Sequence, residues 1–205
     1  SPFPPPSPPS PPASPPSPPS PPLQPGSWYA LSSSDLVAGL GISTVSRIVL
    51  KPGTYEFADD MCSDEGGSAL CIDRNVIIEA EVAGSVVLDA KGARRVIYVA
   101  AAGRAVLVGL NITGGRASQG GGVDVNGVAN IESCNILNNT ATDDGGGVFV
   151  SGNGVANFEA CNIHDNEATD PGWGGGLSIM GTATLTNTNV YSNEAQYGGG
   201  LSIMG

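Results

Sequence analysis

Gly120-Gly-Gly-Val-Asp-Val125, Gly145-Gly-Gly-Val-Phe-Val150, Gly174-Gly-Gly-Leu-Ser-Ile179 and Gly198-Gly-Gly-Leu-Ser-Ile203 are four copies of one phrase, a glycine triplet followed by an apolar-x-apolar run. A second anchor, Asn followed by Ile or Val, stands at Asn111, Asn135, Asn162 and Asn189. The two anchors define a repeat of about 25 residues. Between them, Val128-Ala-Asn-Ile-Glu-Ser-Cys-Asn-Ile136, Val155-Ala-Asn-Phe-Glu-Ala-Cys-Asn-Ile163 and Thr182-Ala-Thr-Leu-Thr-Asn-Thr-Asn-Val190 align without gaps. Each unit holds two or three short runs of period-two alternation bounded by Gly, Asn and Asp.

Runs this short cannot close a core within one unit, but stacked units can. With one unit per turn, Ile131, Ile136, Val148 and Val150 point inward and lie under Phe158, Ile163, Leu177 and Ile179. Every backbone amide then pairs with the next turn at about 4.8 Å. The pattern predicts a parallel β-helix, with glycine triplets supplying the unusual φ at the corner into the next strand. A leucine-rich horseshoe has a similar period, but the leucine scaffold is absent and a glycine triplet has no role in it.

Upstream the repeat is degenerate. Residues 47–57, 75–80, 84–90, 95–99 and 105–112 read as strands, and Ser34-Asp-Leu-Val-Ala-Gly-Leu40 reads as one short helix with an N-cap residue. Such a helix can cover the first turn. A capping helix followed by Ile48-Val-Leu-Lys-Pro-Gly-Thr-Tyr55 resembles the opening of the pectin-lyase-like superfamily of right-handed parallel β-helices. The Asn-Ile-x-x-Asn and Gly-Gly-Gly-apolar pairing also resembles the repeats of polymorphic outer-membrane proteins and related adhesins. The expected fold class is therefore all-β: a right-handed parallel β-helix solenoid with a short N-terminal capping helix, preceded by a polyproline II arm. Residues 1–26 are the arm and 27–205 the β-helix, divided into a cap (27–46), degenerate turns (47–116) and regular glycine-rich turns (117–205).

Of the 17 prolines, fifteen fall in the first 26 residues, mostly as a Ser-Pro-Pro triplet. Proline fixes φ, restrains the residue before it and removes an amide donor, which leaves polyproline II. At about 3.1 Å per residue the arm can extend roughly 70–80 Å. A passive semi-rigid spacer is one reading; a ligand for an SH3-type domain is disfavoured because flanking Arg or Lys is missing. The triplets resemble the hydroxyproline-rich glycoproteins of plants and green algae, including extensins and pherophorin spacers. That resemblance implies hydroxylation and arabinose-rich glycans at Pro8, Pro9, Pro11, Pro12, Pro15, Pro16, Pro18, Pro19, Pro21 and Pro22. It implies galactose at Ser7, Ser10, Ser14, Ser17 and Ser20.

The 205 residues carry 8 basic and 19 acidic side chains, a net charge of −11. No basic residue follows Arg116. Such a chain has no means of neutralising a phosphate backbone, so nucleic acid is excluded as a partner class. No apolar stretch reaches the length of a membrane span. With hydrophobic residues at 40% and charged ones at 13%, the main body can bury enough apolar surface to fold.

Asn139, Asn166 and Asn193 recur three residues after the inward Ile or Val and are expected to form an asparagine ladder at the corner of each turn. Cys62 and Cys71 flank an Asp/Glu/Gly-rich loop and are expected to be bridged. Cys134 and Cys161 occupy equivalent positions in successive turns, within reach of a disulfide, and the even cysteine count favours a second bridge there; the alternative is a stack of reduced, buried thiols. Two sequons, Asn111-Ile-Thr113 and Asn138-Asn-Thr140, are N-glycosylation candidates. Asp124, Glu132, Asp143, Asp144, Glu159, Asp165, Glu167 and Asp170 are read as outward carboxylates that serve solubility rather than Ca²⁺ binding.

Enzymes of the superfamily resembled would need an Arg or Lys base beside a carboxylate cluster, or an Asp triad with His and Arg. The acidic turns hold no basic residue, His164 is expected in an outward turn position, and Asp143-Asp144 lacks accompanying His-Gly and Arg-Ile-Lys signatures. Neither catalytic residues, a metal nor a cofactor beyond covalent glycans is therefore expected. The resulting expectation is a secreted structural glycoprotein of an extracellular matrix, cell wall or surface fibril. The last repeat ends at Gly205 without a polar cap, which predicts continuation of the chain or head-to-tail association, with the arm running along a neighbour. The alternative is a polysaccharide-binding or polysaccharide-modifying β-helix, or an adhesin, anchored by its arm.

Overall fold

The structure, a computed structural model, describes residues 25–59 and 67–204. The polyproline arm, including the hydroxylation and O-glycosylation candidates between Ser7 and Pro22, lies outside the described residues, as does Cys62.

The chain winds into six stacked turns whose strands form parallel sheets. Sheet 1 contains Ser27–Ala30, Arg47–Leu50, Asn75–Ala80, Arg104–Val108, Val128–Glu132, Val155–Glu159 and Thr182–Thr186 in sequence order. Sheet 2 contains Gly53–Glu56, Val86–Asp89, Leu110–Thr113, Asn135–Leu137, Asn162–His164 and Asn189–Tyr191. Sheet 3 contains Ser68–Ile72, Arg95–Val99, Val123–Val125, Val148–Val150, Leu177–Ile179 and Leu201–Ile203. This is the parallel β-solenoid that the repeat predicts, and the register stacks the repeats residue on residue: Ile131 on Phe158, Ile136 on Ile163, Val148 on Leu177. All of these side chains are buried.

Two elements are not legible in the repeat. Ser27–Ala30 pairs with Arg47–Leu50 and extends sheet 1 below the first full turn. Sheet 4, formed by Arg116–Gln119, Thr140–Asp144, Glu167–Trp173 and Glu194–Tyr197, gives each regular turn a fourth strand. Its sequences are polar and lack alternation, so only stacking on the neighbouring turn reveals them as strands. Their register shifts between Ala141 and Asp144 and between Ala168 and Trp173, which marks bulges.

The helix Ser33–Gly41 covers the first turn with Leu36 and Leu40. Ser32 caps it by accepting from the Asp35 N–H at 3.2 Å, and Asp35 Oδ2 accepts from the Leu31 N–H at 3.0 Å. These reciprocal bonds satisfy donors that a helix start leaves open. At its other end Arg74 donates to the carbonyls of Gly39, Leu40 and Ile42, placing a cation where the helix dipole is negative.

The glycine triplets have two functions. Only the first glycine is left-handed, with φ of 57, 64, 63 and 62° at Gly120, Gly145, Gly174 and Gly198. The third is required by close approach: a Cβ on Gly122 would lie 2.6 Å from the Gly147 carbonyl oxygen and 2.9 Å from Asn139 Nδ2.

Candidate functional surface

The corner ladder is built locally. Asn138, Asp165 and Ser192 take φ of 53, 54 and 52°, and this sharp bend turns the next residue, Asn139, Asn166 or Asn193, into the corner. Asn139 Nδ2 donates to the Ile112 carbonyl and to Asn166 Oδ1, both at 3.0 Å. Asn166 Nδ2 donates in turn to the Ile136 carbonyl at 2.9 Å and to Asn193 Oδ1 at 3.0 Å. The same Oδ1 atoms accept the backbone N–H of Asn139 and Asn166. Each amide thereby satisfies backbone groups that the corner removes from the sheets. The column starts at Gly115, whose N–H donates to Asn139 Oδ1 at 2.8 Å.

The second anchor of the repeat forms another ladder, on the outer face of sheet 2. Asn135 donates to Asn111 Oδ1 at 2.7 Å, Asn162 to Asn135 at 2.9 Å and Asn189 to Asn162 at 3.0 Å. Its spacing is visible in the sequence, but its hydrogen bonding depends on the register between turns. Beside it runs the column Thr113, Leu137, His164 and Tyr191. The rings of His164 and Tyr191 stack at 4.8 Å, and His164 Nδ1 lies 2.7 Å from Asp165 Oδ2. A shorter pair, Asn157 on Asn130 at 2.9 Å, lies on the outer face of sheet 1.

The sequons occupy different environments. Asn111 is half-buried, and its Nδ2 donates to the Gly84 and Val86 carbonyls at 2.9 and 3.0 Å. Asn138 is exposed at a bend.

Asp124 and Asp144 correct the reading of outward carboxylates, since they are only 7% and 8% exposed. The backbone of each glycine corner folds back over the strand it introduces, so that a Cβ on Gly120 would meet Asp124. Asp124 Oδ2 lies 3.3 Å from Arg95 Nη2, and Arg95 also donates to the Gln119 and Gly120 carbonyls and to Ser68 Oγ. Asp144 Oδ2 accepts from Gln119 Nε2 at 3.1 Å. Sequence spacing alone does not mark Arg95, which is 2% exposed and ties the last degenerate corner to the first regular one. Glu132, Asp143, Glu159, Asp165 and Glu167 are exposed, as the outward reading has them, and Asp170 falls within the strand Glu167–Trp173.

The expected bridge between Cys134 and Cys161 is not formed: both are free, buried thiols. Cys134 Sγ donates to the Glu132 carbonyl and Cys161 Sγ to the Ile131 carbonyl, at 3.3 and 3.2 Å. Each sulfur is thus committed to backbone rather than to its neighbour. Burial pushes the Cys134 thiol up to about 12 and raises Cys161 in the same direction. Cys71 is a disulfide cysteine, and its expected partner Cys62 falls outside the described residues.

His164 and Asp143-Asp144 do not converge: the first is on sheet 2 and the pair is on sheet 4. Among the described residues, no group of three or more His, Cys, Asp or Glu side chains is arranged to hold a metal ion. Nor is any described helix long and apolar enough to cross a membrane.

The polar side chains instead join turn to turn, in two ways. In the first turns the links are ionic: Arg47 to Glu79 at 2.6 Å, Lys51 to Glu81, and Lys91 to Glu56 at 3.1 Å. In the later turns amides take over. Compared with family models, characterised proteins and solved structures, the chain matches none.

Proposed function

We propose that the protein is a secreted structural glycoprotein of an extracellular matrix, cell wall or surface fibril, with a β-solenoid body of the pectin-lyase-like kind and a glycosylated, extensin-like arm. The observation that carries this reading is the use made of the recurring polar residues. Asn139, Asn166 and Asn193 are committed to the neighbouring turn, as are Asn111, Asn135, Asn162 and Asn189. A side-chain column repeated along one axis gives axial cohesion, which suits a rod that assembles end to end. The Ser-Pro-Pro arm supports the compartment and the modification through its composition. Imaging of the native material tests the reading: filaments with a repeat set by the solenoid are expected, and dispersed monomers at high concentration overturn it.

A second reading, polysaccharide binding, is favoured by the outer face of sheet 2. There a row of amides runs beside Leu137 and the stacked rings of His164 and Tyr191. Amides and exposed rings are the groups that hold sugar hydroxyls and sugar faces. Binding and turnover assays on pectin, alginate and related polyuronates separate the two. Retention without turnover supports a binding role, and turnover replaces both readings with an enzyme.

A further inference from the structure

The outer face of sheet 1 carries three columns of side chains. The central one reads Ile77, Val106, Asn130, Asn157 and Thr184 from the second turn to the sixth, without a charge. On one side of it run Asn75, Arg104, Val128, Val155 and Thr182, and on the other Glu79, Val108, Glu132, Glu159 and Thr186. Alternation sends Ala129, Ile131, Ala156 and Phe158 into the core and leaves the three columns half-buried or exposed. Ile77, Val106, Val108, Val128 and Val155 thereby form an apolar strip across four turns. Parallel sheets ordinarily have both faces covered, and a contiguous apolar patch on one of them marks a contact surface.

The charges on this face are sorted by side. Arg104 stands in one flanking column and Glu79, Glu132 and Glu159 in the other. Glu79 is taken up by Arg47, but Arg104, Glu132 and Glu159 are exposed and make no ion pair among the described residues. Glu132 and Glu159 are neighbours in register, and like charges so placed cost stability unless a cation joins them. A shallow groove of about 240 Å³ opens beside these two carboxylates and is closed off by Asn130, Asn157 and Thr186.

We propose that this face pairs with the same face of a second copy about a twofold axis parallel to the solenoid, so that two β-helices lie side by side and point the same way. Such an axis lays the central column on itself and exchanges the flanking ones. Ile77 then meets Ile77 and Val106 meets Val106, while the Asn130 amide, donor and acceptor at once, meets its own equivalent. Arg104 of each copy faces Val108 of the other, one turn of about 4.8 Å from Glu132 and its groove. A twofold axis along the strands would instead lay the carboxylate column on a carboxylate column and leave Arg104 away from both. The sorting of charge therefore selects one operator.

The sequons leave this contact open, since Asn111 lies in sheet 2 and Asn138 follows its strand Asn135–Leu137. Between the second and sixth turns the face covers about 400 Å² in projection, which suits a reversible dimer rather than an obligate one. The contact is lateral and closes at two copies, so it goes beyond the end-to-end assembly of the proposed function and does not rest on it.

Sedimentation equilibrium of the full chain across a concentration series tests it. The parent is expected to pass reversibly from monomer to dimer, and added salt to weaken the dimer. Arg104→Glu and Glu132→Arg should each weaken it by about tenfold or more, and the two changes in one chain should return it to the parent's affinity, because the exchanged charges face each other again. Both positions are exposed, so the thermal midpoint of the dilute monomer is expected to stay where it is in all three variants. The proposal is overturned by a parent that stays monomeric, by salt-independent association, by association that either single change leaves intact, or by a double variant that fails to recover. Species larger than two that persist in Arg104→Glu also overturn it while supporting end-to-end assembly, so the two readings fail separately.

Discussion

Arg95 and Asp124 form a buried ion pair, Nη2 to Oδ2 at 3.3 Å, across the boundary between the ionic and the amide-linked turns. A buried charge is tolerated when its other valences are met, and Arg95 meets them with the Gln119 and Gly120 carbonyls and Ser68 Oγ. Removing one partner strands the other. Asp124→Ala is expected to lower unfolding stability by about 3–5 kcal/mol. Glu132→Ala, at an exposed position, should shift it by less than about 0.5 kcal/mol. Denaturant titration of both variants checks the contrast.

The asparagine ladders differ in burial and should differ in energy. Asn166 is 1% exposed and links three turns through both amide atoms. Asn166→Ala leaves backbone groups of Ile136 and Asn139 without partners, at an expected cost of about 2–4 kcal/mol. Asn157→Ala removes one exposed bond and should cost under about 1 kcal/mol. Thermal unfolding of the two variants under one condition separates them.

Glycine is needed in one corner position and replaceable in a loop. Gly122→Ala pushes a methyl to 2.6 Å from the Gly147 carbonyl, and a displacement of stacked backbone has to follow. Loss of the folded state at 37 °C is expected. Gly152→Ala meets nothing within 4 Å and is expected to stabilise by about 0.4–1 kcal/mol through the unfolded chain. Soluble yield and midpoint temperature report both.

The thiol of Cys134 gives a pH signature. Its folded value is pushed up to about 12 from an ordinary 9.0, so the folded state holds the proton that the unfolded state releases. The stabilisation is complete below about pH 9 and is lost as pH rises toward 12. In that window stability falls by up to about 1.4 kcal/mol per pH unit for this group. Cys134→Ala should be less stable at neutral pH yet flatter above pH 9, measured by denaturant titration at successive pH values.

Glycan occupancy should follow the amides. An N-linked glycan replaces one Nδ2 hydrogen, and Asn111 spends both on backbone carbonyls at 2.9 and 3.0 Å. Asn138 is exposed. Intact mass before and after glycosidase is expected to show one N-glycan, abolished by Asn138→Gln. Two glycans would mean that the Asn111 column opens or is modified before it folds.

The sequence by itself determined the repeat, the inward set and the corner ladder, because these follow from local periodicity. Ile131, Ile136, Val148 and Val150 recur in the next unit, and alternation alone turns them inward. Asn139, Asn166 and Asn193 were legible for the same reason. Only the tertiary structure decided what depends on contacts between turns. Thr140–Asp144 is too polar to read as a strand and becomes one because Glu167–Trp173 supplies its partners. Asp124 reads as an outward position by alternation, but the glycine corner folds over it and Arg95 reaches it from the turn below. The thiols of Cys134 and Cys161 share a column, yet each is committed to a backbone carbonyl. Periodicity fixes which face a side chain occupies; its partner on that face is set by the register of turns distant in sequence.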